Sequence, residues 1–123
     1  MDVSTWVDVC AVGGIAVEDV IAFEVDERKF AIYRTARDEY YATDGLCTHA
    51  KVSLAGGFLM GTTVECPKHN GRFDIRTGEA RRLPAVRPLR TYPVRVEAGR
   101  VLICPGVPVS RPAIAADALR PGD

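Results

Sequence analysis

Histidine is scarce in this 123-residue chain, which has two, so there is material for at most one histidine-containing metal site. Four cysteines are too few for a disulfide scaffold. No apolar run approaches the roughly 18 residues that a membrane span needs. The stretch Met1 to Trp6 has an acid and no basic n-region, so no secretory leader is expected. These absences predict a soluble, cytoplasmic protein with no membrane partner. Gly13-Gly14 lacks the third glycine and the following helix of a dinucleotide fingerprint and reads as a turn. With no flavin or nicotinamide motif, the chain is not expected to be a reductase. The arginines between Arg76 and Arg100 alternate with apolar residues and form no basic run with stacking aromatics, so nucleic-acid binding is not expected.

Net charge is zero, yet it is unevenly spread: residues 1–45 carry ten acidic and four basic side chains, and residues 46–105 carry four acidic and ten basic. The length fits one domain, placed at 1–105, with a tail over 106–123 rich in proline and expected to be packed loosely on the surface or partly disordered. Trp6 to Ala11 reads as a strand. Val20–Val25 and Lys29–Arg34 read as a hairpin across Asp26-Glu27-Arg28, and Tyr40–Thr43 as a third strand after a polar turn. Between about 45 and 85 the texture is glycine-punctuated, with only Thr62–Glu65 and Gly71–Asp74 strand-like. Leu89–Glu97 and Arg100–Cys104 then form a hairpin across Ala98-Gly99. The expected fold is all-β, an antiparallel scaffold with an inserted lobe. Cys10 and Cys104, in its opening and closing strands, are expected to be buried thiols.

The lobe contains the chain's distinctive chemistry. Both histidines and half the cysteines fall in two patches, Cys47-Thr48-His49 and, after sixteen intervening residues, Cys66-Pro67-Lys68-His69. Thiolate and imidazole are ligands of zinc or of iron–sulfur iron, and a short spacer lets one loop offer both to one centre. A zinc finger usually gathers its cysteines in one arm and its histidines in the other; here each arm mixes them. A zinc-stabilised binding module without redox chemistry remains the alternative at this point.

The pattern CxH, sixteen residues, CxxH, with Gly45 before it, Pro67 inside it, and Gly71, Phe73 and Asp74 after it, resembles the Rieske proteins from about Val7 to Pro105. The resemblance implies an antiparallel β-sandwich scaffold with a cluster-binding lobe. It also implies one 2Fe-2S cluster, with one iron held by Cys47 and Cys66 and the other by His49 and His69. Leu83-Pro84-Ala85 falls where that family lays a proline-containing loop over the cluster. An oxygenase would need two more histidines for a mononuclear iron, so the chain is not expected to be a catalytic subunit. It looks like the small Rieske ferredoxins of bacterial multicomponent ring-hydroxylating oxygenases, which implies a flavoprotein ferredoxin reductase and a terminal oxygenase as partners. A small electron-transfer subunit of a nitrite or arsenite enzyme is the other reading within the family. Leu46, Lys51, Lys68 and Arg72 flank the ligands and are the candidate docking residues. High-potential relatives carry a serine and a tyrosine where this chain has Gly71 and Phe73, and a loop-bracing disulfide where it has Val52 and Lys68. A low potential is the expectation.

Overall fold

Phe30-Ala31-Ile32-Tyr33 offers no polar residue for one face of a strand, so a strand built from it has to be covered on both sides. A computed structural model of the chain, in which residues 5–48, 51–68 and 70–106 are described, shows this arrangement. The strands are β1 Val7–Ala11, β2 Asp19–Val25, β3 Arg28–Arg34, β4 Tyr40–Asp44, β5 Phe58–Met60, β6 Thr63–Glu65, β7 Arg72–Asp74, β8 Ala80–Arg82, β9 Thr91–Tyr92, β10 Val94–Glu97 and β11 Arg100–Ile103. They form three antiparallel sheets ordered β1-β11-β10, β2-β3-β4-β9 and β5-β6-β7-β8.

Strand β3 lies inside the middle sheet, and its side chains alternate between two cores. Phe30 and Ile32 face Ile15, Ala42, Tyr92, Val101 and Ile103 on the β1-β11-β10 side. Ala31 and Tyr33 face Leu54, Leu59, Val64, Phe73, Ile75 and Leu89 on the side of the third sheet. Cys47 and Cys66 belong to this second core. The one polar atom that β3 buries there, the Tyr33 hydroxyl, is bonded to Thr43 Oγ1 at 2.9 Å. The β2–β3 and β10–β11 hairpins turn through two residues with positive φ, Asp26-Glu27 and Ala98-Gly99, the geometry that matches strand twist.

Two expectations about strands need correction. The single strand read over Leu89–Glu97 is divided between two sheets: Thr91-Tyr92 pairs with β4, and Val94–Glu97 pairs with β11. Pro93 between them has no N–H for a continuous ladder, while its carbonyl accepts from Cys104 N at 3.1 Å. The lobe is also more regular than its glycines suggested, because β5 and β8 were missed. Each is a three-residue edge strand, too short for its alternation to stand out. Among the described residues no helix is long and apolar enough to cross a membrane. Cys10, opposite Val101 at the bulge in β1, is only half-buried and not buried as expected, whereas Cys104 is buried, and no disulfide joins the two. The tail assigned to 106–123 lies outside the described residues beyond Gly106.

Candidate metal centre

Each cysteine of the two patches opens a loop of the same design. Leu46 bridges Ser53, and Glu65 pairs with Arg72, so in both cases the residue before the cysteine is matched to the residue seven further on. Inside these pairs the Cys47 amide donates to Val52 O at 2.9 Å and the Cys66 amide to Gly71 O at 2.7 Å, an identical spacing of five. In both loops the residue before the closing carbonyl is left-handed and is not glycine: Lys51 at φ 54 and Asn70 at φ 60. Two such loops, closed by their own backbones, present their first residues inward. Cys47 is 1% exposed and Cys66 is not exposed at all, and the two thiols are close enough for Cys47 to act on Cys66. The expected partners, His49 and His69, lie outside the described residues.

Neighbouring backbone holds the second loop closely. A Cβ at Gly57 would fall 2.0 Å from Glu65 O and 3.2 Å from Pro67 Cδ, so glycine there lets the Leu54–Gly56 turn lie directly on the strand that leads to Cys66. At Gly71 a Cβ would meet Ala85 Cβ at 3.0 Å and Ala85 N at 3.2 Å. Ala85 belongs to the proline-containing segment anticipated from sequence. That segment touches the first loop as well, where the Thr48 hydroxyl donates to Arg87 O at 2.7 Å. It therefore spans both cysteine loops.

Burial is the main influence on the Cys66 thiol and pushes it up, with Cys47 adding to the effect; the Lys68 amide acts in the opposite sense. That amide donates to Cys66 Sγ at 3.5 Å. Two facing, buried, unbridged sulfurs with an N–H aimed at one of them fit a thiolate-bound iron, since such a donor stabilises sulfur carrying negative charge. Of the sequence-flagged docking residues, Lys51 and Lys68 are exposed and Leu46 is half-buried. Arg72 differs: its Nε donates to Glu65 at 3.0 Å, and Asn70 donates to the same carboxylate, so its charge is largely answered within the lobe.

Sequence reasoning noted Asp74 only as a family position and missed its role. Its carboxylate is 2% exposed. It accepts from Arg76 N at 2.9 Å and Nη2 at 3.0 Å, and from Arg81 Nη2 at 3.1 Å, tying β7 to the turn and to β8. Burial alone would raise its pKa, but the bonds from Arg76 and Arg81 prevail and set it at about 2. Because this value lies below the ordinary one, Asp74 stabilises the fold above about pH 4 and loses that contribution as pH falls toward 2. Asp74→Asn should therefore cost roughly 1–2 kcal/mol at neutral pH, allowing for solvent around the half-exposed guanidiniums. Urea midpoints of both proteins from pH 7 to pH 2.5 should converge only at the acid end.

An all-β chain whose two buried cysteines sit on matched loops has the layout of a metal-centre protein. The chain belongs to the Rieske [2Fe-2S] domain family, which it matches over residues 5–93. It is 43% identical over 98 residues to the ferredoxin component of the naphthalene 1,2-dioxygenase system of Pseudomonas aeruginosa, covering 80% of this chain and 93% of that one. The ferredoxin of carbazole 1,9a-dioxygenase from Nocardioides aromaticivorans IC177 superimposes with a TM-score of 0.78 at 37% identity, covering 82% of this chain and 98% of that one. A solved complex of reduced oxygenase and oxidized ferredoxin in carbazole 1,9a-dioxygenase contains a chain similar to this one, with a TM-score of 0.76 at 33% identity over 82% of this chain and 94% of that one. The chain carries one Rieske-type 2Fe-2S cluster and is an electron-transfer component, not a catalytic subunit.

Proposed function

We propose that this chain serves an aromatic ring-hydroxylating dioxygenase system in the cytoplasm, accepting single electrons from a flavoprotein ferredoxin reductase and passing them to the terminal oxygenase. Cys47 and Cys66 hold one iron of the cluster, and His49 and His69 hold the other. The observation that carries this reading is the pair of matched loops, which bring two buried sulfurs together; in the sequence a histidine follows each of these cysteines, at His49 and His69. The bound cluster supplies a reversible one-electron couple. The chain does the rest: the cysteine loops are fixed by backbone pairing, water is kept from the sulfurs, and the Lys68 amide stabilises charge at Cys66 Sγ. In systems of the relatives' kind the acceptor is an oxygenase, and the similarity to a ferredoxin solved in complex with one supports that partner.

The test is reconstitution. Purified protein should contain two irons and two acid-labile sulfides per chain, bleach with reduced nicotinamide and a ferredoxin reductase, and be re-oxidised by a ring-hydroxylating oxygenase with substrate. A colourless protein containing zinc would refute the reading.

Encounter with either partner should be steered by Lys51 and Lys68, because Arg72 is answered by Glu65. Lys68→Glu is expected to slow electron transfer several-fold at low ionic strength, with the deficit fading in high salt. Arg72→Glu should have the smaller steering effect. Stopped-flow rates across a salt series measure both.

A further inference from the structure

Exposed large apolar side chains are few, and two of them lie on the segment that spans the cysteine loops. Leu83 is 73% exposed and Val86 65%. Ala85, between them, is buried against Gly71. Arg82 at one end pairs with Arg72 of the second loop's strand, and Arg87 at the other accepts from Thr48 of the first. The segment is thus fastened at three points, to both loops, while its two apolar side chains face solvent. A core requirement does not explain them, because the residue the core needs there is Ala85.

Charge around this pair has one sign. The described stretches that meet here, 46–48 with 51–53, 66–68 with 70–72, and 82–90, contain six lysines and arginines and no aspartate or glutamate. Arg72 is bonded to Glu65, and Arg90 lies 3.9 Å from Asp44. Among the described residues Lys51, Lys68, Arg82 and Arg87 form no salt bridge and are exposed. An apolar centre within a polar rim is the anatomy of a protein–protein contact, and a rim of one sign selects the opposite sign.

We propose that Leu83 and Val86 are the anchor by which this protein docks the terminal oxygenase, entering an apolar hollow rimmed by carboxylates on that partner, while Lys51, Lys68, Arg82 and Arg87 orient the approach. This deepens the function proposed above and rests on it. A fastened anchor costs little ordering on binding, because Thr48, Gly71 and Arg72 already hold its backbone. The division of labour follows: apolar anchors act on complex lifetime and are insensitive to salt, whereas the cations act on encounter and are sensitive to it.

The experiment uses the cluster-loaded protein with reductase and oxygenase, comparing wild type with Leu83→Ser, Val86→Ser, the double variant, and Phe58→Ser. Phe58 is a control of equal kind, 67% exposed on edge strand β5. The double variant should keep the wild-type visible spectrum and potential and raise the apparent KM of the oxygenase for the carrier about tenfold or more, at low and high salt alike. Phe58→Ser should leave it unchanged. An unaltered KM in the double variant overturns the proposal. So does a rise given only by Phe58→Ser, or a defect confined to the reductase step. If wild-type protein takes no electron from a reductase and supports no oxygenase, the function itself has failed, a result distinct from equal performance of wild type and variants.

Discussion

Cys66→Ala should yield a folded, colourless protein with no labile sulfide, whereas Cys104→Ala should be indistinguishable in colour from wild type. Both cysteines are buried, Cys66 fully and Cys104 at 3% exposure, so each exchange removes a buried sulfur and costs on the order of 1 kcal/mol through the small cavity left behind. What separates them is position. Cys66 opens the second matched loop and faces Cys47, while Cys104 follows β11 at the far sheet. On the proposed assignment Cys66 supplies one of four protein bonds to iron, and an iron with a single remaining protein sulfur is not retained. Cys47→Ala should behave like Cys66→Ala, and His49→Ala should also lose the native spectrum. Iron and sulfide per chain, with visible absorption and far-ultraviolet circular dichroism, separate loss of cluster from loss of fold. If Cys66→Ala keeps a full native spectrum, the ligand assignment is wrong.

The matched loops also explain how much of the site could be read from sequence. Ligand types and spacing were legible because CxH and CxxH are local, and each loop closes on itself within six residues. The hairpins at Asp26-Glu27 and Ala98-Gly99 were legible for the same reason. Contacts between distant segments were not. No spacing rule shows that Thr48 will meet Arg87 or Gly71 will meet Ala85, and these contacts brace the loops in a chain that lacks the disulfide of high-potential relatives. Asp74 was noticed only as a pattern position because its partners, Arg76 and Arg81, read as ordinary surface arginines until β7 and β8 are paired. The division of Leu89–Glu97 turns on whether Pro93 ends a strand or merely kinks it, and tertiary packing decides that. The charge asymmetry was real but only partly separated in space. Asp8 pairs with Arg100 and Asp44 approaches Arg90 across the two halves, while Lys51, Lys68, Arg82 and Arg87 at the cysteine-loop end have no salt-bridge partner among the described residues.

A redox titration of the wild type should give a potential near the low end of the Rieske range, roughly −150 mV and not +300 mV. Hydrogen bonds to cluster or ligand sulfur withdraw electron density and favour the reduced, more negative state. The Lys68 amide bond to Cys66 Sγ, at 3.5 Å, is a long one. At the two positions where high-potential relatives have hydroxyls, Gly71 has no side chain and Phe73 is a fully buried hydrocarbon in the core with Val64 and Leu89. Exposed Lys51 and Lys68 favour reduction, but solvent screens them more than a direct bond to sulfur would be. Phe73→Tyr adds one hydroxyl within the lobe and should raise the potential by on the order of tens of millivolts, provided the stated cause is right. Gly71→Ser is a less direct probe, because its Cβ would press on Ala85 at 3.0 Å and shift the segment that spans both loops. The double exchange Gly71→Ser with Ala85→Gly removes that methyl contact and should recover more of the rise than Gly71→Ser alone. A wild-type potential above about +100 mV, far from the lower end of the range, would show that other groups set it. It would also remove the match to a carrier fed from reduced nicotinamide through a flavin.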